Sequence, residues 1–275
     1  MSTSNGELFD AVVVGAGVAG ASAATGLANR GLRVALVDRH ARCAPCFRAE
    51  KVEPDQADLL RELSLFDGVR SKLTPIRAIA SAYRGRVLDV VEIEQYGVDY
   101  WEFTNAIQDL VPGSVEQCAK RVVQIDLSGE RRRVVLEDGS ALESRLAATS
   151  RVEAQKIDLY QLSGPPRAGL VAIGDAYQSV CPATGTGISK VLTDAVVLCD
   201  HLPGWIATPG RGSEKLVDYY GDPRKRAGDA QSLDWAEHRR NFSTRTDLRW
   251  RVHRARTWIE MYARGRRGAP RRGVM

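Results

Sequence analysis

The stretch Phe9–Asp38 decides the fold and reads FDAVVVGAGVAGASAATGLANRGLRVALVD. Its short β-branched run, Val12–Val14, is typical of a buried parallel strand. Gly15, Gly17 and Gly20 follow in a G-x-G-x-x-G pattern between a strand and a helix. The first glycine permits a tight turn, the second lets backbone approach a diphosphate, and the third lets the helix pack close to the strand. The stretch therefore predicts a phosphate-binding strand–turn–helix unit.

A helix from about Val18 to Asn29 should follow the turn, and its N-terminal amides and dipole favour negative charge. A second apolar strand, Arg33–Val37, ends at Asp38. An acid at this position accepts hydrogen bonds from ribose hydroxyls, which favours an unphosphorylated adenosine ribose, as in FAD or NAD. We count Ala16, inside the turn, and Arg39, next to the acid, among the predicted cofactor-binding residues.

Composition limits the class of protein. The chain has 275 residues, of which 44% are hydrophobic and 27% charged, with a net charge of +5, as in ordinary globular proteins. Five cysteines in a chain of this length predict no disulfide framework and favour a reducing, cytoplasmic location. Glu7 and Asp10 precede the first apolar run and glycines interrupt it, so we expect no signal peptide, and no apolar stretch has the roughly 18 residues of a membrane span.

Hydrophobic periodicity predicts further elements along the chain. We expect a helix from Pro54 to about Leu65 that Asp67-Gly68 ends, and a hairpin whose two strands, within 76–93, join at Arg84-Gly85-Arg86. A short helix should cover Asn105–Leu110. The later predictions are a β-meander of strands Val122–Asp126, Arg132–Leu136 and Leu142–Ala147, a strand Leu170–Ile173, and a buried helix Ile188–Leu202.

Two local patterns have more than one interpretation. Cys43 and Cys46 have the C-x-x-C spacing of thiol redox motifs, but they lack the usual βαβ context and a second pair for zinc, so a plain loop is favoured and no metal site is predicted. The aromatic residues near Gly97 either line a substrate pocket or pack against the sheet. They are Tyr96, Tyr100, Trp101 and Phe103.

The region 203–275 is polar and then rich in arginine, with Trp250–Tyr262 able to form an amphipathic helix. A solvated arginine face is the simplest interpretation. Basic residues with tryptophan also suit a membrane surface or an acidic partner. We expect no nucleic-acid binding, because no recognised nucleic-acid fold accompanies the charge.

Three segments in this order resemble the FAD-dependent aromatic hydroxylases of the para-hydroxybenzoate hydroxylase type. They are GAGVAG at 15–20, CFRAEKVEPDQADLLRELSLFD at 46–67, and GLVAIGDAYQSVCPATGTGISKVLTDAVVLCDHL at 169–202. The resemblance implies that the first motif holds the ADP half of FAD and that Arg48 contacts the phosphate and ribityl region. It also implies that Asp175 binds the ribityl chain and that the loop with Pro182, Gly185 and Gly187 lies against the flavin ring.

The chain departs from the family's pattern in its middle. Members carry an Asp-Gly motif after the meander, where this chain has Ala147-Ala148-Thr149-Ser150. Members also insert a large substrate-binding sheet, where only about 25 residues separate Ser150 from Asp175. The resemblance covers about the first 200 residues, and most of the family's substrate-binding layer is missing from them. A partner subunit in an oligomer would be one way to complete that layer.

These observations together predict an α/β protein with a Rossmann-like FAD-binding fold, a mostly parallel sheet, a β-meander and a helical C-terminal extension. We expect an FAD-binding domain at 1–202, in which 74–103 are a reduced substrate-binding layer, and a basic helical extension at 203–275. The expected function is that of an FAD-dependent oxidoreductase, an NAD(P)H- and O2-dependent monooxygenase of an organic or aromatic substrate. A flavin dehydrogenase or reductase, and a catalytically silent FAD-binding protein, are the alternatives. No catalytic side chain is assigned.

Overall fold

The computed structural model describes residues 8–83, 85–150, 160–179, 181, 184–208, 213–265 and 271–272. The strands are β1 (Leu8–Val14), β2 (Val34–Asp38), β3 (Ala49–Val52), β4 (Thr74–Tyr83), β5 (Arg86–Asp99), β6 (Glu116–Ala119), β7 (Val122–Asp126), β8 (Arg132–Leu136), β9 (Ala141–Thr149), β10 (Leu170–Ala172) and β11 (Arg271–Arg272). The helices are α1 (Val18–Asn29), α2 (Pro54–Glu62), α3 (Phe66–Val69), α4 (Tyr100–Asp109), α5 (Gly187–Ala207), α6 (Ser213–Gly221), α7 (Pro223–Thr244) and α8 (Leu248–Gly265).

The larger sheet has the order β6-β2-β1-β9-β8-β7, and β10 pairs with β9. β1 runs parallel to both β2 and β9, and the β2–β6 and β9–β10 pairs are also parallel. The antiparallel pairs are β7–β8 and β8–β9, which form the meander. The predicted α/β fold with a mostly parallel sheet and a β-meander is therefore confirmed.

Side-chain alternation along β1 divides the core between the two faces of this sheet. Ala11 and Val13 belong to the larger hydrophobic cluster, which includes α1, α4 and α5. Val12 and Val14 belong to a second cluster with apolar residues of β2, β8 and β9. Burial on both faces explains why the centre of β1 is an uninterrupted apolar run.

A smaller sheet holds the predicted hairpin. β4 and β5 pair antiparallel, and β5 also pairs with β3 antiparallel and with β11 in parallel. The turn residue 84 lies outside the described residues. β3, with the sequence AEKV, was not predicted because it is short and its two central residues are charged. β3 begins directly after Arg48 and carries Lys51.

Several helix bounds differ from the prediction. α2 ends at Glu62 because Ser64 has a positive φ of 61°, and Asp67-Gly68 does not end a helix but lies inside α3. α4 begins at Tyr100 instead of Asn105, so the aromatic cluster is largely helical. α5 continues beyond residue 202, with Pro203 inside it, to Ala207.

The C-terminal region is helical, as predicted, and part of it joins the main core. Leu216 and Tyr219 of α6 are 2% and 0% exposed and belong to the same hydrophobic cluster as α1 and α5. The division of the chain at residue 202 stays a prediction, although α5 crosses that position. Among the described helices, none combines the length and apolar character that a membrane crossing requires.

Candidate functional site

The turn after β1 is closed by backbone contacts that admit only glycine. Gly15 has a φ of 101°, and its N–H donates to the Val37 carbonyl at 2.7 Å. A Cβ on Gly20 would lie 1.8 Å from the Gly15 carbonyl oxygen and 2.9 Å from Ser150 Oγ. The Ser150 hydroxyl itself lies 3.2 Å from the Val14 oxygen and 3.0 Å from the Gly15 oxygen. The serine that follows β9 thus helps to hold the turn, a role that the sequence did not reveal.

The N-terminus of α1 opens onto a cradle that suits a diphosphate. Gly17 is the N-cap, no side chain caps this end among the described residues, and the first turn holds no acid. A Cβ on Gly17 would meet only the Tyr100 hydroxyl, at 3.9 Å. Gln108, also from α4, donates from Nε2 to the Ala16 carbonyl at 2.7 Å. The N–H groups of a helix start, which have no partner within the helix, and its positive end fit the phosphates of FAD.

Asp38 lies beside this turn, as the spacing predicts. Its Oδ2 accepts from the Ala16 N–H at 2.9 Å, and its Oδ1 accepts from the His40 N–H at 2.9 Å. A cavity of about 170 Å3 adjoins the carboxylate and is lined in part by Arg39 and Lys120. Because each carboxylate oxygen has two acceptor positions, the side chain can order the turn and still accept from a ribose hydroxyl.

Arg48 and Tyr100 connect the turn with the second half of the site. The Arg48 Cζ lies 4.1 Å from the centre of the Tyr100 ring, a cation–π contact, and the guanidinium pairs with Glu50 at 2.7 Å. Burial raises the pKa of the Tyr100 hydroxyl, and Arg48 partly opposes this. Burial also raises the pKa of Asp175, while Lys190 and Arg48 lower it. Arg48 thus contacts Tyr100 and acts through its charge on Asp175, the other residue predicted to hold the ribityl region.

Asp175 follows a turn that is fixed by α5. Gly174 has a φ of 59°, and a Cβ there would lie 3.1 Å from Val191 and 3.2 Å from Ala19. The Gly174 N–H donates to Asp194 Oδ2 at 2.7 Å, and Lys190 Nζ donates to the Gly174 carbonyl at 3.3 Å. Both peptide groups next to Gly174 are thus held by charged side chains of one helix.

Those two side chains belong to a buried network with α7. The Lys190 ammonium lies 3.1 Å from Asp194 and 3.2 Å from Asp229, and the Lys225 ammonium lies 2.6 Å and 3.2 Å from the same two acids. Lys225 Nζ also lies 3.9 Å from the centre of the Tyr177 ring. Burial lowers the pKa of Lys225, whereas for Lys190 the two acids outweigh burial and raise it. The sequence signal for this network was a Lys–Asp pair at i,i+4 in each helix.

The loop before α5 is described only in part. Pro182 lies outside the described residues. Gly185 has a φ of 71°, and a Cβ there would lie 2.8 Å from the Cε of Lys51. Gly187 is the first residue of α5, whose first turn holds no acid. The smaller sheet therefore contributes a lysine to the loop that the resemblance assigns to the flavin ring.

The remaining candidates take separate places. Phe103 is fully buried and packs in the core, while Tyr100 faces the cleft. Cys43 and Cys46 are free thiols. Burial raises the pKa of the Cys43 thiol, so less of it is present as the reactive thiolate. Among the described residues, no group of three His, Cys, Asp or Glu side chains could hold a metal ion.

Comparison with known proteins agrees with this geometry. A sequence model of the FAD-binding domain family matches residues 9–160, more than half of the chain. The chain belongs to the FAD-binding domain family. The match contains the glycine turn, Asp38, Arg48, the smaller sheet's hairpin and Ser150. The predicted membership of an FAD-dependent flavoprotein family is therefore confirmed.

A curated relative is aklavinone 12-hydroxylase DnrF of Streptomyces peucetius, which is 36% identical over 109 residues. The match covers 40% of this chain and 21% of the relative, so the chain matches only about a fifth of that protein's length. The similarity therefore relates one part of this chain to one part of the hydroxylase.

Two solved structures are similar over nearly the whole chain. The p-nitrophenol 4-monooxygenase PnpA from Pseudomonas putida DLL-E4 has a TM-score of 0.75, 16% identity and 94% coverage of each chain. A variant of HpxO from Klebsiella pneumoniae, solved with FAD, has a TM-score of 0.73 and 16% identity, and the match covers 93% of this chain and 94% of HpxO. At these identities the similarity shows the fold alone.

Proposed function

We propose that this chain binds FAD in an extended conformation along the cleft. The ADP half would lie on Gly15, Gly17, Gly20 and Asp38, and the flavin ring would lie near the loop at 182–187. The observation that carries the proposal is the continuity of the cleft. The Tyr100 hydroxyl lies 3.9 Å from the position that a Cβ on Gly17 would take, the Tyr100 ring packs against Arg48, and Arg48 lowers the pKa of Asp175.

The residues of the cleft have distinct roles in this proposal. The open N-terminus of α1 binds the diphosphate, Asp38 and Arg39 the adenosine side, and Arg48 and Asp175 orient the ribityl region. The positive end of α5 at Gly187 stabilises negative charge near the ring. FAD, when bound, would supply electron acceptance from NAD(P)H and the activation of O2.

The activity that we propose is that of an NAD(P)H- and O2-dependent monooxygenase of an organic, aromatic substrate. Two similar proteins are named as oxygenating enzymes, the aklavinone 12-hydroxylase and the p-nitrophenol 4-monooxygenase. A small phenol and a polycyclic phenol are therefore suitable first substrates. We assign the chemistry to the cofactor and its cleft, and no side chain as acid or base.

One observation favours the alternatives, a flavin reductase or a silent FAD-binding protein. Apolar side chains of β4 and β5 remain uncovered, since Ile79, Val87 and Val90 are 47%, 59% and 37% exposed. A monooxygenase needs a cavity that excludes water. A second copy could cover this face, and a tetrameric enzyme, 2-methyl-3-hydroxypyridine-5-carboxylic acid oxygenase, is among the similar structures.

The test is a set of aerobic assays on FAD-reconstituted protein with NADH and with NADPH. Oxygenated product with consumption of reduced nicotinamide supports the monooxygenase. Consumption that yields only hydrogen peroxide, with each phenol present, favours the reductase. Bound FAD that neither nicotinamide reduces favours the silent FAD-binding protein and contradicts the proposed activity.

A further inference from the structure

Lys51 reaches from the smaller sheet to the loop that precedes α5. Its backbone pairs with Gly97 in the β3–β5 ladder, which fixes its position on the strand. The Lys51 Cε and Nζ atoms lie 2.8 Å and 3.4 Å from the position that a Cβ on Gly185 would take. The ammonium group of the lysine therefore lies directly against this loop.

Neighbouring hydrogen bonds keep the lysine in this place. Lys51 Nζ pairs with Glu53 at 2.5 Å, and the N–H of Glu53, the N-cap of α2, donates to Gln56 Oε1 at 3.1 Å. Gln56 in turn donates from Nε2 to Ser189 Oγ in the first turn of α5, at 2.8 Å. The start of α2 is thus tied to the start of α5, and the strand carrying Lys51 is held beside the loop.

The charges around the loop favour an anion. The first turn of α5 itself contains no acidic residue, and Asp55 of α2 accepts from the Ser189 hydroxyl there at 3.4 Å, so the positive helix end is only partly offset. Lys51 adds a positive charge, and its side chain is 40% exposed, so a ligand can reach the ammonium group where it lies. Glu53 is its acidic partner, and Arg48 and Asp175 carry the other charges assigned to the same cleft.

On the basis of the proposed function, we propose that Lys51 is a cofactor-contacting residue that binds the pyrimidine edge of the flavin ring. A flavin ring gains negative charge at that edge when it takes up two electrons. The ammonium group of Lys51 and the N-terminus of α5 stabilise this charge together, so Lys51 makes the bound flavin easier to reduce.

The experiment uses the full chain loaded with FAD and compares Lys51→Met with wild type. Sulfite is the probe, because it adds to oxidised flavin and leaves negative charge on the same edge of the ring. We expect Lys51→Met to weaken sulfite binding about tenfold, or ~1.4 kcal/mol. The same difference lowers the two-electron reduction potential by about 30 mV. Lys51→Arg should stay close to wild type.

A matched control is Lys72→Met, which removes another half-exposed lysine, paired with Glu102 at 3.9 Å outside the cleft. It should leave the sulfite affinity and the potential unchanged. Thermal unfolding of the three variants separates a local effect from a loss of fold. If Lys51→Met does not fold, Lys51→Gln provides the neutral side chain for the same comparison.

Two results would overturn the inference, and they are distinguishable. If wild type binds FAD but the neutral variants keep its sulfite affinity and potential, Lys51 has no contact with the ring, and the proposed function stands. If wild type binds no FAD, the proposed function fails, and this inference fails with it.

Discussion

Replacement of Lys225 by methionine tests the buried charge network under the Gly174 turn. Lys225 is 1% exposed and faces two acids, Asp194 at 2.6 Å and Asp229 at 3.2 Å. Methionine keeps most of the side-chain volume but leaves these two acids with Lys190 as their remaining lysine partner. Because this removes a partner from buried charges, we expect a loss of ~3–5 kcal/mol of unfolding free energy.

This loss corresponds to a decrease in Tm of about 6–20 °C, at about 2–4 °C per kcal/mol for a chain of comparable size. Thermal unfolding by circular dichroism measures it. FAD affinity should fall as well, because Asp194 holds the Gly174 N–H that precedes Asp175. Adding Asp229→Asn to Lys225→Met should recover part of both losses, since it removes the excess negative charge.

The exposed pair Lys72–Glu102 gives the comparison, because an exposed ion pair contributes only ~0–1 kcal/mol. Lys72→Met should therefore change Tm by a few degrees at most. If Lys225→Met has the same Tm as Lys72→Met, the buried charge network of α5 and α7 does not stabilise the fold as we expect.

Three further changes address other parts of the fold. Gly20→Ala places a Cβ 1.8 Å from the Gly15 oxygen, so the turn must open and FAD affinity, measured by fluorescence titration, should fall at least tenfold, whereas unchanged affinity would contradict the turn's role. For Asp222, burial raises the pKa, but bonds from Arg224 and His201 outweigh it and lower the pKa to about 2, so its contribution to stability is present above about pH 4 and is lost toward pH 2. Asp222→Asn should lower the free energy of unfolding by ~1 kcal/mol at neutral pH, and this difference from wild type should shrink as the pH falls through this range. Urea unfolding measures the difference, and a difference that stays constant with pH would argue against the ion pair. Truncation before residue 213 removes the buried Leu216 and Tyr219 of α6 together with α7 and α8, and should yield protein that unfolds at lower temperature and binds FAD weakly, while a fully stable product would show that these three helices are dispensable.

The sequence was informative where one residue type is needed for a local reason. Gly20 and Gly15 are predictable because the contact between helix and strand excludes any side chain. Asp38 is predictable because its distance from the glycines fixes it at the end of the next parallel strand. The hairpin and the meander followed from alternation and turn residues in the same way.

The sequence was less informative where the environment of a residue depends on distant segments. Lys225 and Asp229 are typical of a solvated helix until α5 supplies their partners, with Asp194 lying 31 residues from Lys225. Gln108 and Ser150 have ordinary polar side chains whose acceptors in the glycine turn become apparent only after folding. The charged strand β3 forms because the long strand β5 provides an edge, so neither the strand nor the place of Lys51 follows from local propensity.

A titration of the purified protein with FAD, followed by flavin fluorescence, on wild type and Asp175→Ala tests the cofactor site most directly. Asp218→Asn, an exposed acid on α6, is the control. We expect saturable binding by wild type and by Asp218→Asn, with at least tenfold weaker binding by Asp175→Ala at unchanged Tm. Equal affinity in all three proteins would contradict the assignment of Asp175 to the ribityl chain, and no binding by wild type would contradict the proposed cofactor site itself.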